Sequence, residues 1–134
     1  MAERPFLDTN VLVYLLSGDQ PRADRAEALL AARGIVSVQV LNELANVAIR
    51  KLGLTWRELG ELIEAVKSGC EVQPLTEEVH DQARELAERY RLSFYDAAIV
   101  SSALEAGCRV LYSEDMQHGF KIDRTLTIRN PFRR

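Results

Sequence analysis

Short apolar runs alternate along this chain with longer stretches of helical periodicity, the pattern of βαβ units built on a mainly parallel sheet. Pro5-Phe6-Leu7 reads as the first strand and Asn10 to Ser17 as a short helix. Asp19 and Pro21 open a second helix that reaches Arg33 and is ended by Gly34. Gly34-Ile35-Val36-Ser37 is the next strand, followed by a helix to Lys51 that stops before Gly53. Thr55-Trp56-Arg57-Glu58 fits a capping box, after which Trp56, Leu59, Ile63 and Val66 share one helical face. Glu71-Val72 reads as a third strand closed by Pro74. Thr76 then caps a helix whose apolar stripe is Val79, Ala83, Leu86, Ala87 and Tyr90. A helix from Phe94 to Ala106 ends at Gly107, and Arg109 to Tyr112 and Leu126 to Ile128 are the remaining strands.

With 134 residues, 47% of them hydrophobic and 28% charged, the pattern predicts one domain, residues 1–134, large enough to bury a core unaided. The longest apolar run, Val11 to Leu16, is six residues, far short of a membrane span. Met1-Ala2-Glu3-Arg4-Pro5 carries no apolar export signal, so the expected location is cytoplasmic, with no membrane partner. Cys70 and Cys108 each follow a glycine and read as small buried hydrophobes in a reducing compartment. With only His80 and His118 besides, they do not suggest a zinc site.

The chemistry lies in four acids, each placed where a strand runs into a turn or helix: Asp8, Glu43, Asp96 and Asp115. An α/β sheet gathers the C-terminal ends of its strands along one edge, so carboxylates distant in sequence can meet there. Each also has a structural reading. Asp8 fits a helix N-cap, although Asn10 could cap the same helix. Glu43 sits at the edge of a polar helical arc, beside Val47, as a solvated glutamate would. Asp96 completes a possible capping box with Ser93, yet falls on the apolar face of its helix, where an unpaired carboxylate is costly. Asp115 fits a turn, with Glu114 a rival and Ser113 expected to place a hydroxyl on the same side.

Together the four would repel strongly: two like charges about 4 Å apart cost roughly 4 kcal/mol at an effective dielectric near 20. Hard oxygen donors of this kind favour Mg²⁺ or Mn²⁺. The net charge of −3 becomes +1 once the four acids are set aside. That leaves Arg50, Lys51, Arg129, Arg133 and Arg134 to meet phosphate, so charge alone neither selects nor excludes a nucleic-acid partner.

The chain resembles the PIN-domain nucleases, and among them the VapC-type toxins of toxin–antitoxin pairs. The resemblance rests on Asp8-Thr9-Asn10-Val11-Leu12, Asn42-Glu43-Leu44, Leu92-Ser93-Phe94-Tyr95-Asp96-Ala97, and Leu111-Tyr112-Ser113-Glu114-Asp115-Met116-Gln117-His118-Gly119, with Asn130-Pro131-Phe132 at the end. It implies a three-layer α/β/α sandwich with the acids at the carboxyl edge of the sheet. It also implies a Mg²⁺- or Mn²⁺-dependent endoribonuclease, homodimeric and restrained by a cognate antitoxin. On this sequence Asp8, Glu43, Asp96 and Asp115 are then the catalytic, metal-holding quartet, with Asn10 and Ser113 in support.

In that reading one ion is held chiefly by Asp8 and Asp96, with Glu43 and Asp115 completing the shells, and the substrate is single-stranded RNA. Phe94 and Tyr95 could stack on a base or pack in the core. Leu15, Leu16, Leu59 and Leu62 exceed what the core needs and could form a dimer interface. Two other classes remain open: a phosphatase or phosphoacceptor α/β domain, and a non-catalytic RNA-binding module. A haloacid-type phosphatase wants Asp-x-Asp where this chain has Asp8-Thr9-Asn10, and a receiver domain wants a lysine after its last strand.

Overall fold

In the computed structural model, which describes residues 4–133, strand β1 (Phe6–Leu7) lies within a six-stranded sheet. Met1 to Glu3 and Arg134 fall outside the described residues. The chain continues through α1 (Thr9–Val13), α2 (Gln20–Ala31), β2 (Ile35–Ser37), α3 (Val38–Arg50) and α4 (Trp56–Gly69) to β3 (Glu71–Gln73). Helices α5 (Glu77–Tyr90) and α6 (Phe94–Glu105) precede β4 (Val110–Tyr112), β5 (Lys121–Ile122) and β6 (Leu126–Arg129). The sheet order is β3-β2-β1-β4-β6-β5, parallel throughout except for the β5–β6 pair.

This order determines where a site can form. From β1 the chain steps outward to β2 and β3, then returns past β1 to β4. Right-handed crossovers taken in opposite directions place their helices on opposite faces, giving the expected α/β/α sandwich. They also open a crevice between the carboxyl ends of β1 and β4, where the direction reverses. The central strands are largely apolar in consequence: Phe6, Leu7, Val36, Leu111, Leu126 and Ile128 are all buried.

Local signals account for most helix starts. Asp19 accepts the Arg22 N–H, Thr76 that of Val79, and the Thr55–Glu58 capping box is closed in both directions at 3.1 and 2.9 Å. Ser37 is both the last residue of β2 and the N-cap of α3, so that helix leaves the sheet with no intervening loop. Ser101, fully buried on α6, donates to the Val79 carbonyl of α5 at 2.9 Å and fixes the two helices against each other. Cys70 and Cys108 are free and buried, and burial pushes both thiols up to about 11. No helix among the described residues is long and apolar enough to cross a membrane.

Several local expectations change. The helix expected over Asn10 to Ser17 stops at Val13 and tightens into a 3₁₀ turn at Tyr14–Leu16 before Ser17 extends. Gly34 does not end α2. Arg33 takes the left-handed conformation (φ 58°) there, while Gly34 lies buried against β1. Trp56 leaves its helical stripe, at 75% exposed, because the first helical residue projects beyond the surface that Leu59 and Val66 bury. Phe94 and Tyr95 are exposed at 38% and 64%, so neither is a core residue, whereas Leu59 is buried in the protein's own interior. Strand β5, two residues long and begun by a charged lysine, carried no apolar signal.

Candidate functional site

The register β1–β4 pairs Leu7 with Tyr112, so the next residues out of the sheet are Asp8 and Ser113, side by side. The Asp8 N–H continues the ladder by donating to the Tyr112 carbonyl at 3.0 Å. Asp8 is then the N-cap of α1 and also a facing carboxylate. Its Oδ1 accepts the Thr9 N–H at 2.7 Å, and its Oδ2 accepts the Ser113 hydroxyl at 2.8 Å and the Asn10 amide at 3.3 Å. The two sequence readings of this residue describe two oxygens of one group.

Asn10 bridges the strand ends. Its amide also reaches Ser113 Oγ at 3.3 Å, and its Oδ1 accepts the Glu114 N–H at 2.9 Å. Ser113 is fully buried and accepts from the Met116 N–H; it points to Asp8 and not, as expected, to the side of Asp115. From α3, Glu43 takes a hydrogen bond from Gln39 at 2.7 Å and a long one from the Thr9 hydroxyl at 3.5 Å. The i, i+4 spacing of Gln39 and Glu43 is the sequence signal that would have found this support.

Asp96 is the third residue of α6. Its backbone N–H donates to the Ser93 cap, which leaves its half-buried carboxylate directed at the crevice. Asp115, exposed at the rim of the same cavity, makes no hydrogen bond among the described residues.

All four acids, together with Glu114, line one cavity of about 440 Å³ at the switch between β1 and β4. Glu114 is held back from its centre: the Tyr14 hydroxyl donates to it at 2.8 Å, and Arg22 Nε stands 3.7 Å away, stacked over Tyr14 and Phe132. That bond raises the Tyr14 phenol above its ordinary range. Among the described residues lining the cavity none is Lys, Arg or His, and the exposed Arg50, Lys51, Arg129 and Arg133 stand outside it.

Electrostatics follow from that imbalance. Burial pushes the Asp8 carboxyl up to about 7, against the lowering effect of Ser113 and Thr9, and the charges of Glu43 and Asp96 add to the rise. Burial also raises Asp96, which Ser93 lowers and the charge of Asp115 raises further. A carboxyl at 4% exposure with no cation beside it wants either a proton or a metal. Oxygen donors of this kind suit a hard divalent ion. As the side chains stand, no group of three or more His, Cys, Asp or Glu among the described residues is arranged to hold one. The cluster thus supplies oxygen donors without a closed ring.

A family model described as PIN domain matches residues 6–121. Among solved structures, VapC20 of Mycobacterium tuberculosis, described as a sarcin-ricin loop cleaving toxin, is 23% identical with a TM-score of 0.68. The match covers 83% of this chain and 89% of that one. A toxin–antitoxin complex from Klebsiella pneumoniae is 19% identical over 96% of this chain and 98% of that one, with a TM-score of 0.72. DNA-bound VapBC from Salmonella typhimurium is 21% identical over 97% and 99%, at 0.70. At these identities the likeness is one of fold. No curated protein sequence matches the chain.

Proposed function

Because the chain belongs to the PIN domain family, we propose that it is a single-domain endoribonuclease dependent on Mg²⁺ or Mn²⁺, the toxin of a VapC-like toxin–antitoxin pair. The observation that carries the reading is the convergence of Asp8, Glu43, Asp96 and Asp115 on one cavity with no lining cation among the described residues. These four carboxylates would hold the metal. When bound, it supplies the positive charge that neutralises a phosphodiester and acidifies the attacking water.

The chain's own groups do the rest. Ser113, Asn10 and Thr9 fix both oxygens of Asp8, so the carboxylate is oriented before substrate arrives. Gln39 and Thr9 do the same for Glu43 from the opposite wall. Asp96 and Asp115 border the open side, where the backbone of a single strand can pass. An unstacked strand suits an acidic crevice of this size better than a duplex does, and its bases are free to be read.

A cognate antitoxin with a basic segment is the partner that such a crevice would accept, and related folds occur in toxin–antitoxin complexes. A homodimer belongs to the same reading; with Leu59 committed to the core, Leu16, Leu52 and Trp56 are among the exposed apolar residues available for contacts. The buried free cysteines accord with a cytoplasmic location.

The phosphatase reading has less support. Asn10 stands where a second aspartate is needed and is engaged with Glu114 and Ser113, and no lysine lines the cavity among the described residues. The deciding experiment sequences the RNA ends produced with Mn²⁺ by the wild type and by Asp8→Asn. Metal-dependent cuts that disappear in the variant are expected; cuts that persist, or cleavage in EDTA, refute the proposal.

A further inference from the structure

The acid-lined cavity has a neighbour. A second cavity of about 300 Å³ shares Asp96 and Asp115 with the first as common walls, so the two form one trough with the acids across its middle. The second differs in chemistry. Met116, Phe120 and Ile128 give it a hydrocarbon floor. Tyr90 adds a ring whose hydroxyl is already occupied, at 2.8 Å from Asp123 Oδ1 and 3.0 Å from the Asp123 N–H. Phe120 meets that ring edge to face at 5.6 Å, which holds the floor rigid.

Besides the acids, two polar side chains line this cavity without partners. Among the described residues the side chains of Arg91 and Gln117 make no hydrogen bond or ion pair. Arg91 occupies the left-handed position that ends α5 (φ 57°, ψ 42°), where glycine is the unstrained choice. Among the described residues, a polyanion crossing the first cavity finds no lining cation, whereas Arg91 lines the adjoining one.

A flat apolar floor, one unpaired amide and one unpaired guanidinium beside the acids match the parts of a nucleotide: ring faces, hydrogen-bonding edge and phosphate. We propose that the second cavity is a nucleotide subsite for the residue flanking the scissile bond of a single-stranded RNA, with Gln117 reading the base edge and Arg91 holding the phosphate. The proposal rests on the ribonuclease reading above and adds to it where specificity resides.

The test uses the full chain with Mn²⁺ and a randomised single-stranded RNA pool, comparing wild type with Gln117→Ala, Arg91→Ala, Arg91→Gly and Arg91→Lys. Gln117→Ala should flatten base preference at one position next to the cut and leave the other positions as they were. Arg91→Ala and Arg91→Gly should raise KM several-fold with a smaller change in kcat. They should also reduce the slope of log kcat/KM against log salt by about 0.7, the value of one single-strand phosphate contact. Arg91→Lys should recover most of the salt slope. Arg91→Gly should melt no lower than wild type, since it relieves the backbone, so its lost affinity cannot come from a damaged fold. An active wild type whose base profile and KM are matched by these variants overturns the subsite alone. An inert wild type overturns the ribonuclease reading, and the subsite with it.

Discussion

The Ser113 hydroxyl lies 2.8 Å from Asp8 Oδ2, across 105 residues of sequence, and both groups are buried. This bond ties the carboxyl end of β4 to that of β1 and opposes the burial that raises Asp8 to about 7. Ser113→Ala removes it and leaves the Met116 N–H and the Asn10 amide short of an acceptor. Losing a buried partner costs about 1–3 kcal/mol. The Asp8 carboxyl should then titrate above its wild-type value, and Mn²⁺ binding should need a higher pH. A carboxyl-carbon NMR titration of Asp8 reads the change directly. An unaltered midpoint means the hydroxyl does not hold the carboxylate.

Asp8 also makes the metal-free protein sensitive to pH, with a definite sign. The folded state raises this carboxyl from 3.8 to about 7, so between those values the native chain holds a proton that the unfolded chain has released. Stability from this group is therefore greatest below pH 4 and falls as pH rises toward 7, by roughly 1.4 kcal/mol for each pH unit of separation. Asp8→Asn keeps the shape and removes the charge. In EDTA at pH 8 it should melt above wild type, and the gain should vanish near pH 4. A variant that is less stable at pH 8 would show that the ionised carboxylate stabilises the empty fold.

Asp96 separates capping from metal binding. Its backbone N–H donates to the Ser93 cap at 3.2 Å, which Asp96→Asn retains, and the amide oxygen can still accept from the Ser93 hydroxyl that lowers the carboxyl. In EDTA the variant should stay within about 0.5 kcal/mol of wild type. With Mn²⁺ at a hundredfold its dissociation constant, wild type should gain about 2.7 kcal/mol and the variant much less. Paired melts with and without Mn²⁺ decide. A large loss in EDTA would make Asp96 a structural cap, and equal gains with the ion would remove it from the metal site.

How much of this could be read from the chain depends on the range of each interaction. Asp8, Glu43, Asp96 and Asp115 were visible because each follows a local boundary, and the topology of a parallel sheet brings such boundaries to one edge. Their supports were partly visible: Asn10 lies within the same turn as Asp8, and Gln39 one helical turn before Glu43. The Tyr14–Glu114 bond spans 100 residues with no periodic trace, so nothing local could announce it. Of the two readings of Phe94 and Tyr95, core packing fails because both lie in the first turn of α6 and stay exposed. The second cavity was invisible, since Arg91 at the end of α5 and Gln117 in the loop between β4 and β5 line it together only in the folded chain.

The junction of α2 and β2 yields two predictions of opposite sign one residue apart. Periodicity assigned the helix stop to Gly34, but the left-handed residue is Arg33 (φ 58°), whose side chain is exposed. Arg33→Gly should stabilise the protein by about 0.5–1 kcal/mol, because its Cβ is strained in that conformation and its carbonyl contact to Arg4 is kept. At Gly34 an added Cβ would stand 3.0 Å from the Pro5 carbonyl oxygen and 3.2 Å from the Leu7 side chain. Neither can move without shifting β1, so Gly34→Ala should destabilise by about 1–3 kcal/mol. Leu7 precedes Asp8, and the shift should therefore also weaken Mn²⁺ binding by the folded variant. Urea melts and Mn²⁺ calorimetry on both variants test the pair. An Arg33→Gly variant that melts below wild type, or a Gly34→Ala variant that melts with it, refutes the corresponding half of the pair.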